Sequence, residues 1–356
     1  MTQSASHGTR RPATVRAGVL VLALLLACLA AGCGGGARQA PVAHPLTART
    51  DVNPAGGAAG SGAVWVPNAG AGTVWKLDAQ TGRRLATVAV GDVAAYSGSC
   101  AARNIHQVPH GSFAIRDCDL PRGLALAGSS VWVIDGASRS LLRIDASSAR
   151  VVARVAVGVA GWYVAAGPDA VWVSDYGADT VVRVDPRTNQ VAATIGGLPH
   201  GPTGLVEAAG ALWVACSRAD EVARIDPATN QVTAAIPAGH EPVGIAAGFQ
   251  SVWVHDENEE RAGSVTRVDT ATGRVTATVP VGMEAGRDGL DGLAVTSRGI
   301  WVPGAQVERI DPGQGRVVER ADHPANALFA GDGSLWSVDL GYSVTRLVGP
   351  GAATPR

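Results

Sequence analysis

The sequence predicts an all-β protein, a seven-bladed β-propeller of four-stranded antiparallel blades, closed by an N-terminal strand that completes the last blade. Three observations carry this. Trp65, Trp132, Trp172, Trp213, Trp253, Trp301 and Trp336 recur in one aliphatic context, at intervals of 40, 41 and 40 residues where the repeat is unbroken and 67, 48 and 35 elsewhere. An Asp follows thirteen residues later in the first four copies (Asp78, Asp145, Asp185, Asp226), sixteen later at Asp269, and at Asp311 in a shortened sixth copy. Behind it come turns such as Pro186-Arg187-Thr188-Asn189 or Ala79-Gln80-Thr81-Gly82, which suit a hairpin because Asp forms Asx-turns and Gly or Asn accepts positive φ. The third observation is composition: 46 glycines among 356 residues, 46% hydrophobic and 4% aromatic, which excludes disorder and favours short strands joined by turns. With 29 basic against 30 acidic residues, a nucleic-acid partner is excluded as well.

From the N-terminus, Arg10, Arg11 and Arg16 precede an uncharged run from Ala17 to Gly32. It is too short for a membrane-spanning helix, which needs about 20 apolar residues, and reads as a signal peptide over 1–32. Its end, Leu29-Ala30-Ala31-Gly32-Cys33, resembles the lipobox of bacterial lipoproteins, with Ala30 where that motif usually has a large aliphatic residue. The resemblance implies lipidation of Cys33 and a chain held at the outer face of the cell membrane by its lipid alone. Without acylation it is secreted. Residues 33–44 form a flexible tether, 45–349 the propeller and 350–356 a tail. Loss of 1–32 removes three Arg and no acid, giving a net charge of −4.

Each copy offers four strands, in the third about Val164–Ala166, Ala170–Ser174, Thr180–Val184 and Gln190–Ile195. A single such sheet cannot bury both faces, so the copies must stack, with each Trp a wedge of on the order of 200 Å² between neighbours. The seventh copy ends after its third strand, Ser343–Val348, and Ala43–Thr50 supplies the fourth, leaving no free edge. Segments such as Ala170-Val171-Trp172-Val173-Ser174-Asp175 and Val181-Val182-Arg183-Val184-Asp185-Pro186 resemble the YVTN-type and virginiamycin B lyase-like propeller families, over about residues 50–348.

Function is expected where the copies differ. Loop 92–118 is an insertion, and Cys100 and Cys118 within it read as a disulfide in an exported chain. Thirteen residues before each Trp stand Val52, Asp119, Val159, His200, His240, Asp288 and His323. Three residues after it stand Asn68, Asp135, Asp175, Cys216, Asp256, Gly304 and Asp339. Both columns fall on connections at one face, around the channel mouth. His240 with Asp256 and His323 with Asp339 are candidates for a metal site, as is Asp288, or else for hydrogen bonds that only fix loops. His200 faces Cys216, which reads either as a ligand or nucleophile pair or as simple packing. Nine residues before the Trp most copies have Gly (Gly56, Gly123, Gly204, Gly244, Gly292), letting inner strands crowd at the axis; the third has Trp162-Tyr163, either an aromatic binding surface or a plug. The run His255-Asp256-Glu257-Asn258-Glu259-Glu260-Arg261 reads as a solvated loop that could hold a cation with His240 and Glu241.

These features point to a monomeric binding module that needs no cofactor and presents its loop-rich face to a protein, peptide or cell-envelope ligand. The alternative is enzymatic. Resemblance to virginiamycin B lyase implies histidines and a carboxylate (Glu241 or Glu257) acting with a divalent cation such as magnesium to open a cyclic ester by elimination. This chain has Trp-Val-x-Asp where those lyases tend to have Trp-Phe-x-Glu, so whether it is an enzyme stays open.

Overall fold

Burial peaks at the second strand of each four-stranded sheet and falls outward from it, and this gradient sets the architecture. Second strands such as Ser130–Asp135 and Ala211–Cys216 are buried at every residue, third strands such as Thr180–Asp185 alternate, and outer strands such as Gln190–Ile195 are largely exposed. Only sheets that stack face to face around an axis bury their inner strands on both sides. The computed structural model describes residues 38–39, 46–49, 56–68, 71–91, 105–108, 111–114, 121, 123–256, 263–282, 292–339 and 343–348, all within the compact unit Ala37–Arg356. They form seven antiparallel blades in a ring, with a short 3-10 segment at Ser217–Ala219. The third blade runs Val164–Ala166, Val171–Asp175, Thr180–Asp185 and Gln190–Ile195, within one residue of expectation at every end.

All seven repeat tryptophans are 2% exposed or less. Each wedges against the next sheet: Trp172 packs among Leu212, Val214 and Ile225 of blade 4, and Trp336 among Val64, Val66 and Leu77 of blade 1. Across the strand pair from each Trp stands a cation, Lys76 in blade 1 and Arg143, Arg183, Arg224, Arg267, Arg309 and Arg346 thereafter. It lies 5.1–5.9 Å from the ring centroid, within cation–π range. Five of these cations also reach the following blade, donating to the carbonyl just after that blade's turn Asp: Lys76 to Ala146, Arg143 to Pro186, Arg183 to Pro227, Arg267 to Pro312 and Arg346 to Ala79. The turn Asp meanwhile accepts from its own turn, as Asp145 does from Ser147 and Ser148, which holds its carboxyl down at about 2.

The ring closes as expected. Leu46–Arg49 pairs antiparallel with Ser343–Val348, Thr47 opposite Thr345, giving the seventh blade its fourth strand. Arg38–Gln39, in the stretch read as tether, runs parallel to Glu319 and Arg320 on the outer edge of blade 6. The insertion carries a hairpin, Ile105–Val108 with Gly111–Ala114. Cys33, Cys100, Cys118, Asp288 and Glu257 lie outside the described residues.

Candidate functional site

Antiparallel blades send their connections to two faces. One holds the turns between first and second and between third and fourth strands. The other holds the second-to-third connections and the crossings between blades, and it surrounds one mouth of the axial channel. The channel encloses about 220 Å³ and is lined by the first strands of all seven blades. Glycine makes that crowding possible. A Cβ on Gly123 would stand 2.7 Å from the Trp162 carbonyl oxygen, and one on Gly204 2.5 Å from that of Val243. In blade 1 the crowded glycine is Gly57, against the Phe329 ring, rather than Gly56, whose positive φ of 87° makes a turn.

Trp162 and Tyr163 both line the channel, but in different ways. Trp162 is 8% exposed and stacks on Tyr176, ring centroids 5.4 Å apart, so of the two readings of Trp162-Tyr163 its own ring fits packing better than an open surface. Tyr163 is the more accessible of the two. The Arg218 guanidinium lies 4.8 Å from the Tyr176 ring centroid, and Arg218 donates to the Tyr176 carbonyl and, at 2.6 Å, to Asp179. Asp179, at φ 55° in the second-to-third turn of blade 3, also receives the Gly201 N–H and Nδ1 of His200 at 2.7 Å. Burial alone would raise this carboxyl; the bonds from Gly201 and His200 and the Arg218 charge hold it below its ordinary value. His200 therefore donates from Nδ1, keeps an exposed ring and leaves Nε2 for a ligand. Aromatic rings, a guanidinium and an imidazole thus meet at the junction of blades 3 and 4, beside the channel mouth.

The pairing of His200 with Cys216 does not occur. Cys216 is sealed in the core between blades 3 and 4, its Sγ on the Val214 carbonyl, and burial pushes its thiol up to about 12, which removes it as a nucleophile. His323 bonds Asp339 at 2.8 Å and Ser337 at 2.9 Å, and Asp339 also accepts from Ser337, Ser343 and Thr345. This is the loop-fixing arrangement within one blade. For His240 the contact to Asp256 runs through the main chain, and Ser264 Oγ donates to Oδ2 of that carboxylate, whose buried Oδ1 accepts no hydrogen bond. Glu241, at φ 52°, donates its N–H to Asp220, repeating the Gly201–Asp179 cap one blade on. His255 is not in a solvated loop: it ends a strand at 1% exposure, and desolvation drives it down to about 4. Among the described residues no three His, Cys, Asp or Glu side chains converge as a metal site; His240 and Asp256 belong to the blade 4–5 junction, His323 to blade 7.

Sequence reasoning passed over Tyr176, Asp179 and Arg218. The legible signal was a second column seven residues after the Trp, Gly72, Arg139, Asp179 and Asp220, all at positive φ. No family model matches the chain, and no curated protein matches its sequence. Solved structures do resemble it: the hydrazine synthase of Kuenenia stuttgartiensis (15% identity, 88% of this chain and 100% of that chain, TM-score 0.64), U3-55K (11%, 85% and 98%, 0.62) and the computationally designed Ika8 protein (14%, 84% and 97%, 0.54). At such identities the likeness is one of fold: the chain is a seven-bladed β-propeller.

Proposed function

We propose that this protein is an extracytoplasmic, lipid-anchored propeller that binds a protein, peptide or cell-envelope ligand through its channel-mouth face. The observation that carries the reading is the junction of blades 3 and 4. There Trp162-Tyr163 and His200 depart from their columns, and Tyr163, the exposed His200 and Arg218 flank one stretch of rim around the channel. Aromatic and Arg side chains held rigid by stacking and ion pairs are the usual anchors of an interface. Elsewhere on this face His323 is consumed by its own blade.

The test is photo-crosslinking of the tethered protein in its own cells, comparing the native chain with a Tyr163→Ala, His200→Ala, Arg218→Ala variant that still shows the native melting temperature. One partner, enriched by the native chain and lost in the variant, supports the reading; equal recovery by both rejects this face as the binding surface. Anchoring is tested separately by fatty-acid labelling, which Cys33→Ser abolishes if Cys33 is acylated.

A further inference from the structure

On the opposite face, the cleft between blades 2 and 3 opens into a cavity of about 430 Å³. Its walls are the Ala127–Ser130 turn and Trp132 of blade 2, with Ala166, Gly167 and Pro168 and then Pro186 and Arg187 of blade 3. Arg143 crosses it, 5.2 Å from the Trp132 ring, donating from Nε to Ser130 Oγ and from Nη1 to Pro186 O and Asn189 Oδ1. Among the described residues its Nη2 has no partner. Neither has the indole N–H of Trp132, which is not sealed from solvent as those of Trp65 and Trp336 are. In blades 4, 5 and 6 the equivalent indole is satisfied within its own blade, by Ala208 O, Gly248 O and Thr296 Oγ1.

The next cleft round the ring shows what this place accepts. Between blades 3 and 4 the indole N–H of Trp172 donates to the carboxylate of Glu207, whose other oxygen lies so close to Gly167 that a Cβ there would stand 2.3 Å from it. Glu207 stands six residues before Trp213; six before Trp172 stands Ala166. The carboxylate that fills one cleft is therefore missing from the other, where the indole donor is the same but Ala127 stands in place of Gly167, so a carboxylate there must seat clear of its methyl, toward Arg143 and Arg187. Arg187, 74% exposed and loosely paired with Asp185 at 3.4 Å, takes the place that Ala228 holds beside the filled cleft. One cleft has a glutamate and no second cation. The other has a second cation, an open indole N–H and no glutamate.

We infer that the cleft between blades 2 and 3 is a binding site for a carboxylate ligand, held by the Trp132 indole N–H, Arg143 and Arg187. The inference is independent of the channel-mouth reading, since it concerns the other face and none of its residues. It is tested on the isotope-labelled full chain by following the indole N–H resonance of Trp132, assigned through its loss in Trp132→Phe. N-acetylglutamate shifts that resonance in the millimolar range and N-acetylglutamine does not; Arg187→Ala weakens the effect about tenfold, the scale of one charge-assisted bond. The double change Ala127→Gly, Ala166→Glu supplies the carboxylate internally with the clearance that Gly167 gives Glu207, so its indole resonance already sits near the bound position and no longer responds to the added acid. Acetate and an Ala-Glu-Ala peptide are titrated in parallel, and a preference for either assigns the carboxylate to a free organic acid or to an acidic side chain. Equal shifts with acid and amide, no shift with any carboxylate, or an Ala127→Gly, Ala166→Glu protein that responds like the native chain would each overturn the assignment.

Discussion

His255 and Asp256 are chain neighbours on one buried strand, and their side chains point to opposite sides of it. Burial moves both toward the uncharged form, the imidazole down to about 4 and the carboxyl up to about 7. Their effects on stability have opposite signs. The histidine binds its proton more readily when unfolded, so it costs stability as pH falls from 6.5 toward 4. The aspartic acid binds its proton more readily when folded, so it costs stability as pH rises from 3.8 toward 7. In the native protein the two slopes oppose each other. Asp256→Asn should leave the histidine slope alone, with unfolding free energy rising between about pH 4 and 6.5. His255→Gln should leave the aspartate slope, falling over the same range, each by on the order of a few kcal/mol. Urea titrations at several pH values measure both, and two variants with the same slope would contradict the burial described. The sequence shows the two residues but not this coupling, because a polar His-Asp-Glu run reads equally well as a strand end or as a loop.

Among the strands, the cation opposite each Trp is the element-scale device that holds blade to blade. Arg183 lies over Trp172 and also donates to Pro227 O and Asn230 Oδ1 of the next blade, whereas Arg224 lies over Trp213 and bonds Thr233 of its own. Arg183→Met is therefore expected to cost about 1–3 kcal/mol more than Arg224→Met, since the cation–π contact is lost in both and the bonds to the next blade only in the first. Equal losses in chemical unfolding would mean that these bonds add nothing. Glycines divide in the same way. Gly123→Ala drives a methyl into the backbone of blade 3 at 2.7–2.9 Å and should destabilise by about 1–3 kcal/mol, while at Gly196 an added methyl meets nothing and the change should be near neutral. The Gly123 position was legible from its recurrence nine residues before the Trp. The staples were not sought there, although Lys76, the only lysine, stands in the same column as six arginines and so marks the position as one that needs a cation.

For the molecule as a whole, the number of blades, the strand order and the closing strand were all legible, because a Trp every forty residues followed by an Asx-turn admits few other arrangements. The candidate site was legible only in part. His200 and Tyr163 stood out as breaks in a column, but their partners Asp179 and Arg218 come from neighbouring connections that the fold brings together and the chain keeps apart. Tyr176 completes the group by stacking on Trp162. Both faces exist as described only if the ring is shut. The direct test is a crosslink between its ends: Thr47→Cys and Thr345→Cys, directly opposite in the antiparallel register, in a chain whose other cysteines are replaced by serine or alanine. A closed ring predicts that the pair oxidises within one chain and that the oxidised protein melts higher than the reduced one. Thiols that stay free, or that join only between two chains, would contradict the closed ring and every placement that depends on it.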